Sequence, residues 1–266
     1  MDAANAALKN KQDKEMNQKY TDVNSRIIDQ WVSDGWEWGK PIDHETFKKA
    51  KENNWSVFLT PTKAVPKEWF CSFAGARILG LASGGGQQMP IFAALGAVCT
   101  VLDYSDAQLA NEKMVAEREK YNIEIIKADM TKPLPFADSS FDLIFHPVSN
   151  CYIQDVIPVW KECFRVLRQN GLLLAGLDNG INYVFDSNEK EVTNVLPFNP
   201  LTNKKLYEQS IKDNIGIQFS HTIEEQIGGQ LKAGFTLVDI YHDTNGEGNL
   251  HIHNIPSYYA TCAMKK

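Results

Sequence analysis

An aspartate and a run of glycines stand at the spacing of a ligand-binding site in an open sheet. The glycines, Gly84 to Gly86, follow a short apolar run, and Asp103 closes the next apolar run. Glycines between a strand and a helix let the backbone approach a ligand closely, because no Cβ intrudes. The helix N-terminus offers unpaired N–H groups, and an acid after the next strand can accept both hydroxyls of a ribose. The pattern predicts a nucleoside-containing ligand.

The residues around these positions predict a strand, a turn, a helix and a second strand. Residues 78–81 form a short apolar run typical of a strand buried on both faces. Residues 90–97 are apolar and of helix length, and residues 97–102 are rich in β-branched side chains. A dinucleotide site would need a small third residue in G-x-G-x-x-G, where this chain has Met89. S-adenosylmethionine, which has no pyrophosphate, needs only the first glycines and the acid.

A histidine follows the fourth predicted strand, residues 141–145, where open α/β sheets carry their catalytic groups. His146 would contact a ligand, act as a base, since histidine titrates near neutral pH, or serve as a buried structural residue. Asn150 and Tyr152 are expected in the same region.

Two stretches resemble the class I S-adenosylmethionine-dependent methyltransferases. Residues 78–103 look like motif I and the acid that follows it in that family. Residues 127–177 are similar to the strand 3 to strand 5 region of small-molecule members of the ubiquinone- and menaquinone-biosynthesis type, and LASGGGQQ and HPVSN match a bacterial subgroup. One departure is Gly80, which stands where the family usually carries an acid that contacts the methionine amino group.

The resemblance implies a donor site together with candidate catalytic and substrate-binding residues. The donor-binding set is Ala82, Ser83, Gly84, Gly86, Asp103, Tyr104, Asp129, Met130 and His146. In this set Asp129 is expected to accept from the adenine amine; the alternative is a turn aspartate. The candidate bases are His146, Tyr152 and His221. The candidate substrate-binding residues are Tyr20, Trp31, Trp36 and Asn150.

The periodicity and the resemblance together predict a Rossmann-like α/β fold. Its sheet is expected to have seven mostly parallel strands, the last antiparallel, with helices on both faces. Residues 1–70 would form an N-terminal helical extension or lid, with a helix over about residues 15–38. Residues 71–266 would form the donor-binding domain, with a cap insertion at residues 179–219. The tryptophans that precede the glycine turn either pack the extension onto the sheet or wall an apolar pocket; they are Trp31, Trp36, Trp38, Trp55 and Trp69.

Helix starts are predicted from the capping residues Ser105, Asp155 and Thr222. Two of them resemble capping boxes, with Gln108 and Glu225 standing three residues later. The helix after Ser105 is expected to carry Glu112 on its solvated face.

Composition excludes several other classes. The net charge of −6 without a dense basic run disfavours a nucleic-acid partner. The five scattered cysteines lack a CxxC pair and indicate reduced thiols in a cytoplasmic protein. The first residues have no apolar core of a signal peptide, and no apolar run approaches the length of a membrane span, about 20 residues. No metal is expected, since the spacing of His242, Asp243, His251 and His253 matches no common site.

We therefore expect an enzyme that transfers a methyl group from S-adenosylmethionine to a small molecule, giving S-adenosylhomocysteine. Two alternatives stay open. An NAD(P)-dependent oxidoreductase is disfavoured by Met89, and a non-catalytic S-adenosylmethionine-binding module is favoured by Gly80. The acceptor atom and the oligomeric state do not follow from the sequence.

Overall fold

The computed structural model describes residues 20–266, through which a seven-stranded sheet runs. Its strands are β1 (Arg77–Leu81), β2 (Val98–Asp103), β3 (Ile123–Lys127), β4 (Phe141–His146), β5 (Leu167–Asp178), β6 (Phe235–Asp243) and β7 (Tyr258–Lys265). Their spatial order is β3-β2-β1-β4-β5-β7-β6. Strand β7 pairs antiparallel with β5 and β6, whereas the pairs among β1 to β5 are parallel. The predicted Rossmann-like sheet is confirmed.

The helices of the described residues are α1 (20–33), α2 (His44–Lys51), α3 (Gln88–Ala94), α4 (Asp106–Glu119), α5 (Ile157–Val166), α6 (Lys204–Lys212), α7 (Ile223–Ala233) and α8 (Gly248–Ile252). Helix α1 ends at residue 33 rather than at Trp38, because Gly35 takes a left-handed φ of +88° and a 3-10 turn follows at Glu37–Gly39. The part of the predicted extension that falls on residues 1–19 lies outside the described residues.

The strand order creates a crevice at the carboxyl edge of the sheet. After β1 the chain adds β2 and β3 on one side, and then β4 and β5 on the other. Ligands bind in open α/β sheets where the direction of strand addition reverses, because the two connections leave a gap there. The ends of β1, β2, β4 and β5 thus bring Leu81, Asp103, His146 and Asp178 to one edge.

Apolar layers cover both faces of the sheet. On one face α5 buries Trp160 and Cys163 against β4 and β5. On the other face α3 and the segment between α2 and β1 bury Phe92, Leu59 and Trp69, and Trp55 packs against them. The segment before β1 is thus part of the core, as the packing interpretation of the tryptophans expected for Trp55 and Trp69.

The capping predictions had different outcomes. The box at the start of α7 is confirmed, since Thr222 and Glu225 exchange both hydrogen bonds, at 2.8 and 3.2 Å. At α4 only half of the box forms, because the Ser105 N–H donates to Asp103 Oδ1 at 2.9 Å. The prediction that Asp155 caps α5 is wrong. The residue after it takes the N-cap position, and Asp155 Oδ1 accepts from the Ile157 N–H at 2.9 Å.

The prediction that Glu112 lies on a solvated face is wrong. Its side chain is fully buried between α4 and the glycine turn. There Oε2 accepts from the Gly86 N–H at 3.0 Å, and Oε1 accepts from the Tyr121 hydroxyl at 3.1 Å. Because burial disfavours the charged form, the pKa of Glu112 is raised to about 7.

The segment between β5 and α7 packs against α1. Tyr20 of α1 joins Ile217 and Phe219 in a small apolar cluster. Two of the four residues weighed as metal ligands have structural partners. The Asp243 carboxylate accepts from backbone N–H groups of residues 62 and 63, and His251 bonds the Thr244 hydroxyl. Within residues 20–266 every helix is too short or too polar to cross a bilayer.

Candidate functional site

A cavity of about 380 Å³ opens at the carboxyl edge of the sheet. Its floor contains Ala82 after β1, Asp103 of β2, Pro147 after β4 and Asp178 of β5. Its roof comes from α1 and from residues 58–61, a segment we call the strap. Residues from four strand ends, two of them aspartates, therefore line one partly enclosed space, the usual form of a small-molecule site.

The glycine turn wraps around the Asp103 carboxylate. The Gly84 N–H donates to Oδ2 at 3.0 Å, and the Ser105 N–H donates to Oδ1 at 2.9 Å. A Cβ on Gly84 would lie 2.7 Å from the Gln108 Cβ and 3.0 Å from Asp103 Oδ2, so only glycine fits this close approach. Burial raises the pKa of Asp103, and the backbone N–H donors oppose that rise. Gly86 lies outside the cavity, and its N–H donates to Glu112, which stabilises the turn from behind.

Gly80 and Met89 are the two positions at which this chain departs from familiar nucleotide-binding patterns, and they pack against each other. A Cβ on Gly80 would lie 2.8 Å from Met89 Sδ, and the Met89 side chain is fully buried. The thioether therefore occupies the space that an acidic side chain at position 80 would require. Position 80 faces the core under α3 and does not line the cavity.

Gln108, the second residue of the half-formed capping box at α4, lines the cavity. Its backbone N–H is capped by Ser105 Oγ at 3.1 Å, but its side chain does not return to Ser105. Its buried Oε1 has no hydrogen-bond partner within residues 20–266. A buried acceptor without a donor is unfavourable by about 1–3 kcal/mol, so this atom marks a place where a ligand donor would be stabilised.

The other predicted donor-binding residues also meet at this cavity, apart from His146. Tyr104 donates its hydroxyl to Asp22 of α1 at 2.7 Å, which fixes the ring at the cavity wall. Asp129 lines the cavity while its Oδ1 accepts from the Thr131 N–H at 2.8 Å, so the turn role and the cavity position coexist. Met130, Ala82 and Ser83 complete this side.

The two candidate histidine bases lie beneath the cavity rather than in it. His146 is fully buried, with Nδ1 2.8 Å from Leu81 O and Nε2 2.8 Å from Asn150 Oδ1. His221 Nε2 lies 3.0 Å from the carbonyl oxygens of Asn150 and Ile153. Burial lowers the pKa of both rings. These ring nitrogens already have protein partners. His146 ties the loop after β4 to the end of β1, and His221 ties that loop to the segment before α7. Of the three predicted bases, Tyr152 is the one that lines the cavity.

Of the four predicted substrate-binding residues, Trp36 lines the cavity. Trp31 packs on Trp36 with ring centroids 5.3 Å apart and donates to Asn214 O at 2.8 Å, so it supports the wall from behind. Tyr20 is buried against Phe219. Asn150 is buried among polar partners next to His146.

Sequence reasoning missed Asp178, Tyr183 and Tyr258, which line the cavity. Asp178 lines the cavity with its side chain almost fully buried, and burial raises its pKa to about 7. A signal was present, because Asp178 directly follows an apolar run just as Asp103 does. The strap gave no such signal. It reaches the site because a Cβ on Gly176 of β5 would overlap the carbonyl oxygen of Leu59, so glycine there lets the strap cross the strand.

The sequence is similar to known methyltransferases. A family model described as a methyltransferase domain matches residues 79–175. An uncharacterized methyltransferase, YbaJ of Bacillus subtilis, is 40% identical over 230 residues, which cover 84% of this chain and 90% of that protein. Methyltransferase phqN of Penicillium fellutanum is 27% identical over 173 residues, which cover 62% of this chain and 48% of that protein.

The fold is similar to that of solved structures. An S-adenosylmethionine-dependent methyltransferase from Mesorhizobium loti superposes with a TM-score of 0.57 at 16% identity, covering 74% of this chain and 94% of that one. The Pyrococcus horikoshii protein of another crystal structure gives a TM-score of 0.52 at 22% identity, covering 72% and 82%. At these identities the likeness concerns the fold.

Proposed function

The chain belongs to the class I S-adenosylmethionine-dependent methyltransferases and transfers a methyl group from that donor; we propose that one cavity holds both the donor and a small-molecule acceptor. The observation that carries the proposal is the partial enclosure of the cavity by α1 and the strap. A space of about 380 Å³ is in the range of small-molecule sites, about 300–1,000 Å³.

The donor half is formed by the ends of β1 and β2 and the loop after β3. Backbone N–H groups hold the Asp103 carboxylate in place. Its remaining lone pairs would accept the two ribose hydroxyls. Tyr104, Asp129 and Met130 lie beside it, where they would cover the adenine. His146 then acts as a positioning residue below this half, through its contact with Leu81 O.

The residues present fit S-adenosylmethionine in two respects. The unpartnered Gln108 Oε1 supplies an acceptor that a donor group of the ligand would satisfy. The glycine at position 84 lets the turn lie against Asp103 and hold its carboxylate at the cavity wall. The acid missing at position 80 does not count against binding, because that position faces Met89 instead of the cavity.

The acceptor half lies over the ends of β4 and β5. It is lined by Trp36, which follows α1, and by Tyr152. The 179–219 segment contributes Asn182, Tyr183 and Gln218. This supports a cap role for that segment and a lid role for α1. S-adenosylmethionine supplies a methyl group already activated by its sulfonium, so the protein has to align the acceptor and exclude water.

The donor assignment is tested by calorimetric titration of S-adenosylmethionine into the wild type and Asp103→Asn. We expect saturable binding by the wild type and affinity weaker by about 10- to 100-fold for the variant, since hydrogen bonds to a charged group contribute about 1.5–3 kcal/mol. Asp138→Asn is the matched control, because Asp138 is exposed at the opposite end of β4. Equal affinity of Asp103→Asn and the wild type would remove Asp103 from the site, and a wild type that binds no donor would overturn the whole proposal.

A further inference from the structure

The carboxylate of Asp178 lies in the acceptor half of the cavity, and no cationic side chain of residues 20–266 pairs with it. Asp178 ends β5, and its side chain is only 4% exposed. Its Oδ1 accepts from the Gly180 N–H at 2.6 Å, and among residues 20–266 its Oδ2 accepts only from the Asn182 amide, at 3.4 Å. Asp103, by contrast, receives a backbone N–H on each oxygen. Of these two carboxylates, Asp178 is therefore the more buried and the less satisfied.

The charged side chains of residues 20–266 that line the cavity are all acidic. Its lining includes the carboxylates of Asp103, Asp129 and Asp178. Within the described part of the chain, the lining contains no lysine, arginine or histidine. A buried carboxylate is stable only with a counter-charge or full hydrogen bonding, so this lining repels acidic ligands and favours cationic ones.

Three aromatic residues line the acceptor half of the cavity together with Asp178. Tyr152, Tyr183 and Tyr258 all belong to this wall. The Tyr183 hydroxyl donates to Gln218 at 2.9 Å, and the Tyr258 hydroxyl accepts from Asn182 at 3.2 Å. With the hydroxyls of Tyr183 and Tyr258 engaged, these two tyrosines contribute mainly ring surface, and the negative face of an aromatic ring attracts an ammonium group.

We propose that the acceptor is a small molecule bearing an ammonium group, which Asp178 binds within the compartment of Tyr152, Tyr183 and Tyr258. This inference rests on the proposed function, which places the acceptor over β4 and β5. The Asp178 carboxylate forms a charge-assisted hydrogen bond with the nitrogen, and the rings cover the rest of the cation. Acceptors with a carboxylate or phosphate at that position are rejected, because the compartment offers them no cation.

The test uses matched probes on the wild-type protein saturated with S-adenosylhomocysteine. The probes are 2-phenylethylamine, 2-phenylethanol and phenylacetate, followed by butylamine, 1-butanol and butyrate, titrated calorimetrically at pH 8. In at least one series we expect the amine to bind about tenfold or more tightly than its alcohol, and the acid to bind most weakly. Amines that bind no better than the alcohols in both series, or that do not bind at all, would overturn the inference.

Two variants assign the effect to the carboxylate. Asp178→Asn keeps an acceptor for the Gly180 N–H and removes the charge, so we expect it to bring the amine to the affinity of the alcohol. Asp213→Asn, at an exposed position after α6, should leave the preference unchanged. A persisting amine preference in Asp178→Asn contradicts the assignment. Affinity for S-adenosylhomocysteine is measured in every sample; its absence in the wild type would overturn the proposed function itself, whereas intact binding without amine preference overturns only this inference.

Discussion

Individual glycines decide where backbone segments meet at this site. At Gly84 the turn approaches the Asp103 carboxylate closely. At Gly176 the strap crosses β5, and the Leu59 carbonyl oxygen occupies the place that a Cβ would take. The first position was predicted from the sequence, because consecutive glycines after an apolar run have a known physical use. The second was not, since a single glycine within a strand does not reveal which distant segment will pass over it.

Gly176→Ala should destabilise the protein. The added Cβ requires the strap or β5 to move, and overpacking of this kind is unfavourable by about 1–3 kcal/mol or more. Gly228→Ala is the matched control, because a Cβ there would have 3.9 Å to its nearest neighbours in the middle of α7. That substitution should stabilise by up to about 1 kcal/mol. Urea denaturation of both variants checks the pair, and an unchanged unfolding free energy for Gly176→Ala would contradict the proposed close approach.

Among the elements, α1 has the most direct influence on access to the cavity. Asn24 anchors this helix. Its Nδ2 donates to Tyr152 O at 3.1 Å and to Ile217 O at 2.9 Å. Its Oδ1 accepts from the Ile217 N–H at 2.7 Å. One buried amide thus joins α1 to the loop after β4 and to the end of the 179–219 segment. Three separate parts of the chain therefore hold the roof closed together.

Asn24→Ala should loosen α1 while leaving the sheet intact. The change leaves three buried backbone groups without their partner, which is unfavourable by about 1–3 kcal/mol. We expect amide hydrogen exchange in residues 20–33 to become about 10- to 100-fold faster, with β1 and β4 unaffected. Gln30→Ala, on the exposed side of the same helix, is the control. Equal exchange rates in Asn24→Ala and Gln30→Ala would show that Asn24 is not the anchor.

For the whole molecule, the sequence predicted the sheet and the donor half much better than the acceptor half. Most of the donor half lies close together in sequence, from the glycine turn to Tyr104, and Asp129 and Met130 follow the next predicted strand, so local spacing carries its signal. The acceptor half is assembled from the strap, residues after β4, Asp178 and Tyr258, which are far apart in the chain.

His146 is another residue whose role the sequence predicted only in part. Its position after β4 was correctly placed at the carboxyl edge, but its burial depends on partners that no spacing reveals. Membership of the methyltransferase family excludes the oxidoreductase alternative.

Buried acids also set how the stability of the molecule depends on pH. The raised pKa of Glu112, about 7, means that the folded protein holds a proton there which the unfolded chain releases near 4.5. Its contribution to stability is therefore complete below pH 4.5 and is lost as the pH rises towards 7, by as much as about 3 kcal/mol. Asp178 has a shift of the same sign, so a comparison that varies Glu112 alone is needed to separate the two.

Glu112→Gln provides that comparison. Glutamine retains an acceptor for the Gly86 N–H and cannot ionise, so the variant should be more stable than the wild type at pH 8. The advantage should be smaller at pH 5 by about 2 kcal/mol, because there the wild-type carboxyl is largely protonated in the fold. Urea denaturation of both proteins at the two pH values measures the difference. Glu117→Gln, exposed on the same helix, should show no such pH dependence; an advantage of Glu112→Gln that is equal at pH 5 and pH 8 would mean that Glu112 is already ionised in the folded protein at pH 5.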